Sequence, residues 1–588
     1  MKRLRFLTAG ESHGPALVGI LEGLPAGLPL EAAQIERDLR RRQAGYGRGG
    51  RMKIEQDTAE ILGGVRFGRT LGSPLALLIR NRDFANWTER MQIEPAGPDP
   101  AAVTVPRPGH ADLAGAIKYG HTADLRNVLE RASARETAMR VALGAAARAM
   151  LRNLGISVGS YVRSIGGIEA VRASQAAPDL YREDGEELGL LADRSEVRAL
   201  DATSTQQLIE RIQEAQRARD TLGGAIEVVA TGVPAGLGSH VQWDRKLDGR
   251  LARALMSIPA IKAVEVGDGW ASGAMVGSQV HDPIHLIGER LRRTSNHAGG
   301  VEGGITNGEP LVVRAIMKPI ATVSNALASV DLRTLHEKKG HVERSDTCAV
   351  PAAGIVAEAM VCLALADALL EVLGGDTMES LRLPFARLRI SQRARLGHVF
   401  LLGPSGAGKT SAGLILSHRL GRPFFDLDAR IEARAGMSVK EIFRRAGEEE
   451  FRRLEALALE EACDRAPAVV ALGGGAVLRE RAWRRMREAG VTVRLHAPPF
   501  ELVRRLAANE QAVEARPLLA GGDPAERLSQ LVQRREHWYA RADLHLDTTA
   551  LTAEEVAGAI VGLLRAIEGP LVPLAGGAGR GSPMPTEP

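Results

Sequence analysis

The stretch HVFLLGPSGAGKTSAGLILSHRLG, residues 398–421, holds the sharpest chemical pattern in the chain. A short apolar run leads into G-x-x-x-x-G-K-T and a helical pattern follows, the strand–loop–helix setting that a phosphate-binding loop requires. Backbone N–H groups around Gly406, Ala407, Gly408 and Ser411 can curl about the phosphates of ATP, helped by the dipole of the helix that starts there. Lys409 would reach the β- and γ-phosphates, and the Thr410 hydroxyl would ligate Mg2+. FFDLDARIE then sets Asp426 and Asp428 at the end of a second apolar run. There one carboxylate can serve Mg2+ and the other can accept a proton from a hydroxyl. VVALGGGAV ends a third run in three glycines, where backbone can approach a small ligand closely. Arg452 in GEEEFRRLE, Arg516 in ARPLL and Arg535 in RREHWYARADLHLDT add cations, although a solvated helix face is the commoner fate of an arginine.

The first 375 residues carry a different chemistry. His13 lies in TAGESHG and His110 in RPGHADLAGAIKYG, both tight turns, and histidine changes charge near neutral pH. Between them, RRRQAGYGRGGRMK at 40–53 packs six basic residues and four glycines into fourteen positions. On composition alone that is an RNA-binding arm. Two bulk facts oppose it: aromatics are 3% of the chain, thin for stacking on bases, and a net charge of +5 over 588 residues is small. Several arginines converging on one small polyanion is the alternative. LRNVLERASARETAMRVALGAAARAML reads as one long alanine-rich helix. On it Arg131 and Arg135 stand at i and i+4 on one face, where pairing with Glu130 or Glu136 is their ordinary fate. SNHAGGVEGGITNGEP is a glycine loop without the pattern of a dinucleotide site.

These residues need at least two domains to position them, since 588 residues exceed one ordinary core. Residues 1–375 are glycine-rich with short strand-like runs. Residues 376–397 have weak periodicity and many arginines and read as a linker, or a connecting segment on a surface. Residues 398–565 alternate apolar runs with amphipathic helices, an α/β signature. Residues 566–588 are Pro/Gly-rich and read as a disordered tail. AVPAAGIVAEAMVCLALADALLEVLGG is broken by Glu358 and Asp367, so a buried helix is expected there, with no membrane span. Three cysteines without CxxC spacing and no signal-like start point to the cytoplasm.

Taken in order, the motifs of 398–550 resemble those of shikimate kinase. That resemblance implies a P-loop α/β domain with a parallel sheet, ATP as phosphoryl donor and shikimate as acceptor. It places Arg452 and Arg535 on the shikimate carboxylate, Asp428 on its hydroxyls and Gly474 in its pocket. Asp426 falls in the Mg2+ sphere through water, and Arg516 becomes the lid arginine over the ATP phosphates.

Residues 1–375 resemble chorismate synthase, through GESHG, RRRQAGYGRGGRMKIEQD, RPGHADL, RASARETA, MSIPAIKAVEVGDG, SNHAGGVEGGITNG, KPI and RSD in that order. The resemblance implies a β-α-β sandwich, a homotetramer, and 1,4-elimination of phosphate from 5-enolpyruvylshikimate-3-phosphate (EPSP) to give chorismate. Reduced FMN is required, without net redox change; its reductant is either NADPH used by the protein itself or an external reductase. Arg42, Arg48, Arg51, Arg107 and Arg135 would surround the two carboxylates and the phosphate. His13 would face the departing phosphate as an acid, His110 would protonate the flavin at N1, and Asp346 would relay protons near N5 beside Arg344. Flavin contacts would come from Arg131, Ala132, Ser133, Arg253, Ala254, Gly303, Lys318, Pro319, Ile320, Ala321 and Thr322, with Arg42 and Arg48 shared by the FMN and NADP side. The whole is a bifunctional enzyme of small molecules, with neither nucleic acid nor membrane as partner. Its two reactions are not consecutive steps.

Overall fold

The computed structural model describes residues 3–48, 56–95, 101–287, 290–343, 345–393, 395–507 and 524–568. The chain divides into two compact units. One runs to Pro283 and resumes over Arg293–Leu381; the other takes Ile284–Arg292 and the chain from Arg382 onward.

In the first unit, alternation sets the sheets. Along Ala16–Glu22, Leu17, Gly19 and Leu21 are buried while Ile20 and Glu22 are exposed. This strand is second in an antiparallel sheet ordered Arg5–Ala9, Ala16–Glu22, Leu75–Arg80, Glu60–Gly63. A second antiparallel sheet is ordered Ile261–Val266, Leu311–Met317, Gly224–Thr231, Ser157–Ile165, Ile168–Glu169. Helix Thr137–Asn153 packs on the first sheet and on helix Val350–Leu373, which packs on the second. The architecture is a β-α-β sandwich. Small residues let the two helices meet: a Cβ at Gly144 would overlap Ala359.

Val350–Leu373 is long and apolar enough to cross a membrane, but here it is a core helix, 94% of its most apolar window buried. Its two buried acidic residues are partnered. Glu358 accepts from Arg41, Arg148, Arg198 and Ser160. Burial pushes its carboxyl up, and the three arginines overcome this and hold it well below the ordinary range. Asp367 accepts from Arg250 and from the N–H groups of Arg3 and Leu4. Arg40 is exposed, but its neighbour Arg41 belongs to this buried network.

The long helix anticipated over 125–151 is interrupted. Arg126–Ala132 ends at Ser133, whose extended backbone (φ −65°, ψ 142°) starts a short turn before Thr137–Asn153 begins. The Ser133 hydroxyl accepts from the Arg135 N–H and so restarts the chain. Arg131 and Arg135 therefore do not share a helix face.

The second unit is built on a parallel sheet ordered Phe424–Asp426, Val469–Ala471, His398–Leu402, Gly490–His496, Leu544–Asp547. All five residues of HVFLL are buried, as a central parallel strand covered on both faces requires. Residues 376–397, read as a linker, instead contain helix Met378–Ile390. Ala386, Ile390 and Leu396 lie in the core of the second unit, and Arg389 binds the buried Asp543. Arginines that look solvent-directed in the sequence are committed to a buried carboxylate, which hid the helix. Helix Ala553–Ile567 reaches into the stretch read as tail; residues 569–588 lie outside the described residues.

Candidate active sites

In the second unit the P-loop follows its strand as the sequence implies. Gly406 and Gly408 hold φ of +85° and +87°, a region an L side chain rarely adopts, and helix Lys409–Leu420 follows. Lys409 Nζ donates to the carbonyls of Gly403 and Pro404 at 2.9 and 3.0 Å. Thr410 Oγ1 donates to Asp426 Oδ2 at 2.7 Å, while Asp426 Oδ1 caps the next helix by accepting from the N–H groups of Asp428 and Ala429. Asp426 thus bridges the loop to the strand end.

Beside the loop lies a cavity of about 260 Å3. Asp428, Arg452, Gly474 and Arg535 all line it, together with Glu455 and Tyr539. The three glycines form its floor, and a different side chain lies over each. A Cβ at Gly473 would stand 2.6 Å from Asp428 Oδ1 and 2.8 Å from Glu455 Oε1; one at Gly475 would overlap the Arg452 guanidinium. Arg535 Nη1 donates to the Gly474 carbonyl at 2.8 Å. Arg452 donates to Glu455 at 2.7 Å. Glu455 is 4% exposed and its Oε1 has no hydrogen-bond partner. Burial raises its carboxyl, and the Arg452 charge only partly offsets this with Asp428 close by. Glu455 is in FRRLE, three positions after Arg452, and Tyr539 is four positions after Arg535, so helical spacing could have flagged both. Arg516 lies outside the described residues.

In the first unit two histidines each rest on a buried carboxylate. His13 Nδ1 is 2.9 Å from Glu130 Oε1, and the same carboxylate accepts the His13 backbone N–H and Arg126 Nη1. Burial pushes Glu130 up, yet His13 and Arg126 hold it below the usual carboxyl range. The imidazole stacks on Trp87, centroids 4.0 Å apart. His110 Nδ1 is 2.5 Å from Asp112 Oδ1. Asp112 also accepts from Arg107 Nε and Nη2, and Arg107 Nη1 donates to Thr322 Oγ1 at 3.0 Å. Against the effect of burial, His110 and Arg107 hold Asp112 well below the ordinary range. Lys318 Nζ donates to the Gly109 carbonyl, Ile320 accepts from the Thr221 hydroxyl, and Ala321 packs beside Gly109. Lys318, Ala321 and Thr322 thereby meet the RPGH turn, while Ile320 and Pro319 lie against Thr221 and Gly223.

The arginines gather on Asp57. Arg135 Nη1 donates to Asp57 Oδ1 at 2.5 Å and its Nε to Asn81 Oδ1 at 3.0 Å. Asn81 Nδ2 in turn donates to the carbonyls of Glu11 and Gly14, on either side of His13. Arg42 binds Thr137 Oγ1 and the Ala134 carbonyl. Its Nη1 and Asp57 Oδ2 are buried without a hydrogen-bond partner, 3.7 Å apart. Burial and the neighbouring Arg48 and Arg135 bring Arg42 down to about 10, against the pull of Asp57. Arg48 pairs with Asp346 at 3.0 Å. Arg51 and Arg344 lie outside the described residues.

A cleft of about 520 Å3 is lined by Thr8, Arg131, Ala132, Ser133, Arg140 and Ser257 among others. Arg131 donates to the Thr8 and Gly10 carbonyls. Arg253 and Ala254 reach the cleft through Ser257, whose N–H and hydroxyl donate to their carbonyls. Gly303 sits at a hairpin turn with φ +60°, and the next carbonyl, of Gly304, accepts the Leu247 N–H at the start of the helix carrying Arg253. Asp57, Asp112, Asn81 and Trp87 are not singled out by the sequence, and Glu130 stands there only as an ion-pair candidate for the arginines beside it. Asp112 follows His110 by two positions and could have been seen; the others come from distant segments.

The family model "Chorismate synthase" matches residues 4–370, and "Shikimate kinase" matches 405–565. The chain is 54% identical over 388 residues to the chorismate synthase of Pelobacter propionicus, covering 64% of this chain and 96% of that one. It is 55% identical over 388 residues to the chorismate synthase of Aquifex aeolicus, covering 66% and 97%. A crystal structure of chorismate synthase superposes with a TM-score of 0.52 at 46% identity, over 65% of this chain and 96% of that one.

Proposed function

The chain belongs to the chorismate synthase family and carries a shikimate kinase domain in its C-terminal part, and from that premise we propose how its residues divide the work. It is an enzyme of two reactions: phosphate elimination from EPSP to give chorismate, and ATP-dependent phosphorylation of shikimate.

The observation that carries the residue assignment is the convergence of Asp428, Arg452, Gly474 and Arg535, from four separate segments, on one cavity next to the P-loop. Arg452 and Arg535 hold the shikimate carboxylate, and Asp428 takes the proton of the attacking hydroxyl. Lys409 turns from the loop carbonyls to the transferring phosphate. Thr410, with Asp426 acting through water, would hold Mg2+ beside the phosphates.

For the elimination, Arg42, Arg48 and Arg135 bind the substrate anions. The buried, unpartnered Nη1 of Arg42 fits a polyanion that supplies the missing acceptor. His13 gives a proton to the departing phosphate; with Nδ1 engaged by Glu130, Nε2 is the nitrogen left to do so. His110, held by Asp112, keeps a proton at flavin N1, and Asp346 relays one near N5. The cleft beside Arg131, Ala132 and Ser133 is of ligand size and supplies backbone and guanidinium donors, so it fits part of a flavin. Reduced FMN held by these residues would supply a transferable electron and an acceptor for the C6 hydrogen; NADPH is its proposed reductant. The protein works as a cytoplasmic homotetramer assembled through its first unit.

Paired substitutions test this division. Lys409→Ala should abolish shikimate phosphorylation and spare chorismate formation, and His110→Ala should do the reverse. If either variant, still folded by circular dichroism, loses both activities, the two-site reading is wrong.

A further inference from the structure

Three glycines in a row are the least restrained backbone a chain can offer. Gly473, Gly474 and Gly475 nevertheless form the surface on which Asp428, Arg452 and Arg535 lie. A restraint from outside must hold them. No side chain of Gly474 can provide it, so its peptide groups must.

The Gly474 carbonyl accepts twice. Arg535 Nη1 and the Tyr539 hydroxyl both donate to it, each at 2.8 Å. The two donors stand at i and i+4 on helix Pro524–Tyr539, so one helix face addresses one oxygen. A carbonyl oxygen has two lone pairs, and both are taken. That fixes the plane of the 474–475 peptide, whose N–H points opposite its C=O. Tyr539 is itself held: it is 1% exposed, and the Arg494 guanidinium lies 5.6 Å from its ring centre. Burial raises its phenol, which stays neutral and a donor.

We propose that Tyr539 is a positioning residue of the kinase site: through the Gly474 carbonyl, its hydroxyl holds the glycine floor and Arg535 in the register that shikimate needs. The inference rests on the shikimate reading of this cavity. A buried tyrosine that merely needs an acceptor is the plainer account, and the two differ in what they move.

Tyr539→Phe removes the hydroxyl and keeps the ring. In the full-length protein, KM for shikimate should rise about five- to tenfold, the loss of one hydrogen bond. KM for ATP and chorismate formation should stay as they were, and the thermal midpoint of the second unit should fall by no more than about 2–4 °C, what one buried hydrogen bond contributes. Arg452→Lys, assayed alongside, tests the cavity reading itself and should raise the shikimate KM too. If Arg452→Lys raises it and Tyr539→Phe leaves it within about twofold, the tyrosine has no positioning role and the cavity reading stands. If neither variant raises it, the cavity reading fails and the inference with it. If Tyr539→Phe lowers the thermal midpoint beyond that and weakens ATP and shikimate alike, its role is only structural and the inference is overturned.

Discussion

The two units hold their working arginines by different means. In the first, Arg42, Arg107 and Arg135 are 5%, 8% and 5% exposed, and each binds buried protein groups: Thr137, Asp112, Asp57. In the second, Arg452 also meets a buried carboxylate, Glu455, but it and Arg535 line a cavity and depend in addition on what is missing beneath them, the side chains of three glycines. A buried counter-charge fixes an arginine by attraction but ties it to stability, because one partner cannot leave without stranding the other. A glycine floor fixes an arginine by room and ties it to binding. Substitutions should therefore separate the units: carboxylate removal should unfold the first, and added bulk should disarm the second.

The largest effect expected is at Asp57. Asp57→Ala takes the shared carboxylate from Arg42 and Arg135, both buried. Breaking such a pair by removing one partner costs about 3–5 kcal/mol. Calorimetry should show the transition of the first unit falling steeply, while shikimate phosphorylation by the remaining folded unit is unchanged. An unshifted first transition would mean that the arginines stand without their counter-charge, and the contrast would fail on that side.

Next is Gly475→Ala. Its Cβ would occupy the place of the Arg452 guanidinium. Displacing a substrate-holding group by about 1 Å costs on the order of a hundredfold in rate. The kcat/KM for shikimate should fall by about that factor, with both thermal transitions and chorismate formation intact. A variant that phosphorylates shikimate normally would show that the floor is not what sets Arg452.

The same contrast explains what the sequence could and could not disclose. The kinase stations are short local patterns, GPSGAGKT, DLD, FRRLE and GGG, each at a strand end or helix start, and the parallel sheet gathers strand ends at one edge. Their order carried the resemblance to shikimate kinase, and that resemblance implied their meeting. The partners in the first unit obey no local spacing. Glu130 meets His13 across 117 positions and Asp57 meets Arg135 across 78. Only the sandwich brings them together, so the sequence showed His13 and Arg135 but not what holds them. Where local pattern was trusted too far it misled: the run 125–151 is helical in composition, yet Ser133 breaks it. Arginine-rich 376–397 looks like a linker, yet Arg389 closes on Asp543.

The smallest expected effect concerns acid, and it again divides the units. His545 is held far down, to about 2, first by burial and then by the charges of Arg382 and Arg494, and His398 is lowered mainly by burial. Both belong to the parallel sheet of the second unit. A histidine whose folded value is depressed is neutral in the native state and charges only on unfolding. Its stabilising contribution is whole above the unfolded value near 6.5 and drains away as pH falls below that, down toward the folded value. The shifted groups of the first unit behave differently. Asp112, Glu130, Glu358 and Glu343, the last brought down to about 2, are depressed carboxyls. Their contribution is whole above the ordinary carboxyl range and is lost only below it. Between pH 6.5 and 5 the second unit should therefore weaken first. Glu455, raised by burial, works the other way and gains as pH falls, which trims the loss. The slope for one uncompensated proton is at most about 1.4 kcal/mol per pH unit, and about 1 kcal/mol moves the midpoint of a domain this size by about 2–4 °C. A calorimetric series across that window should show the second unit's transition sliding down by a few degrees while the first stays put. His545→Gln should flatten most of the slide. If both transitions fall together, or if His545→Gln leaves the slope unchanged, the acid sensitivity lies elsewhere and this part of the contrast is lost.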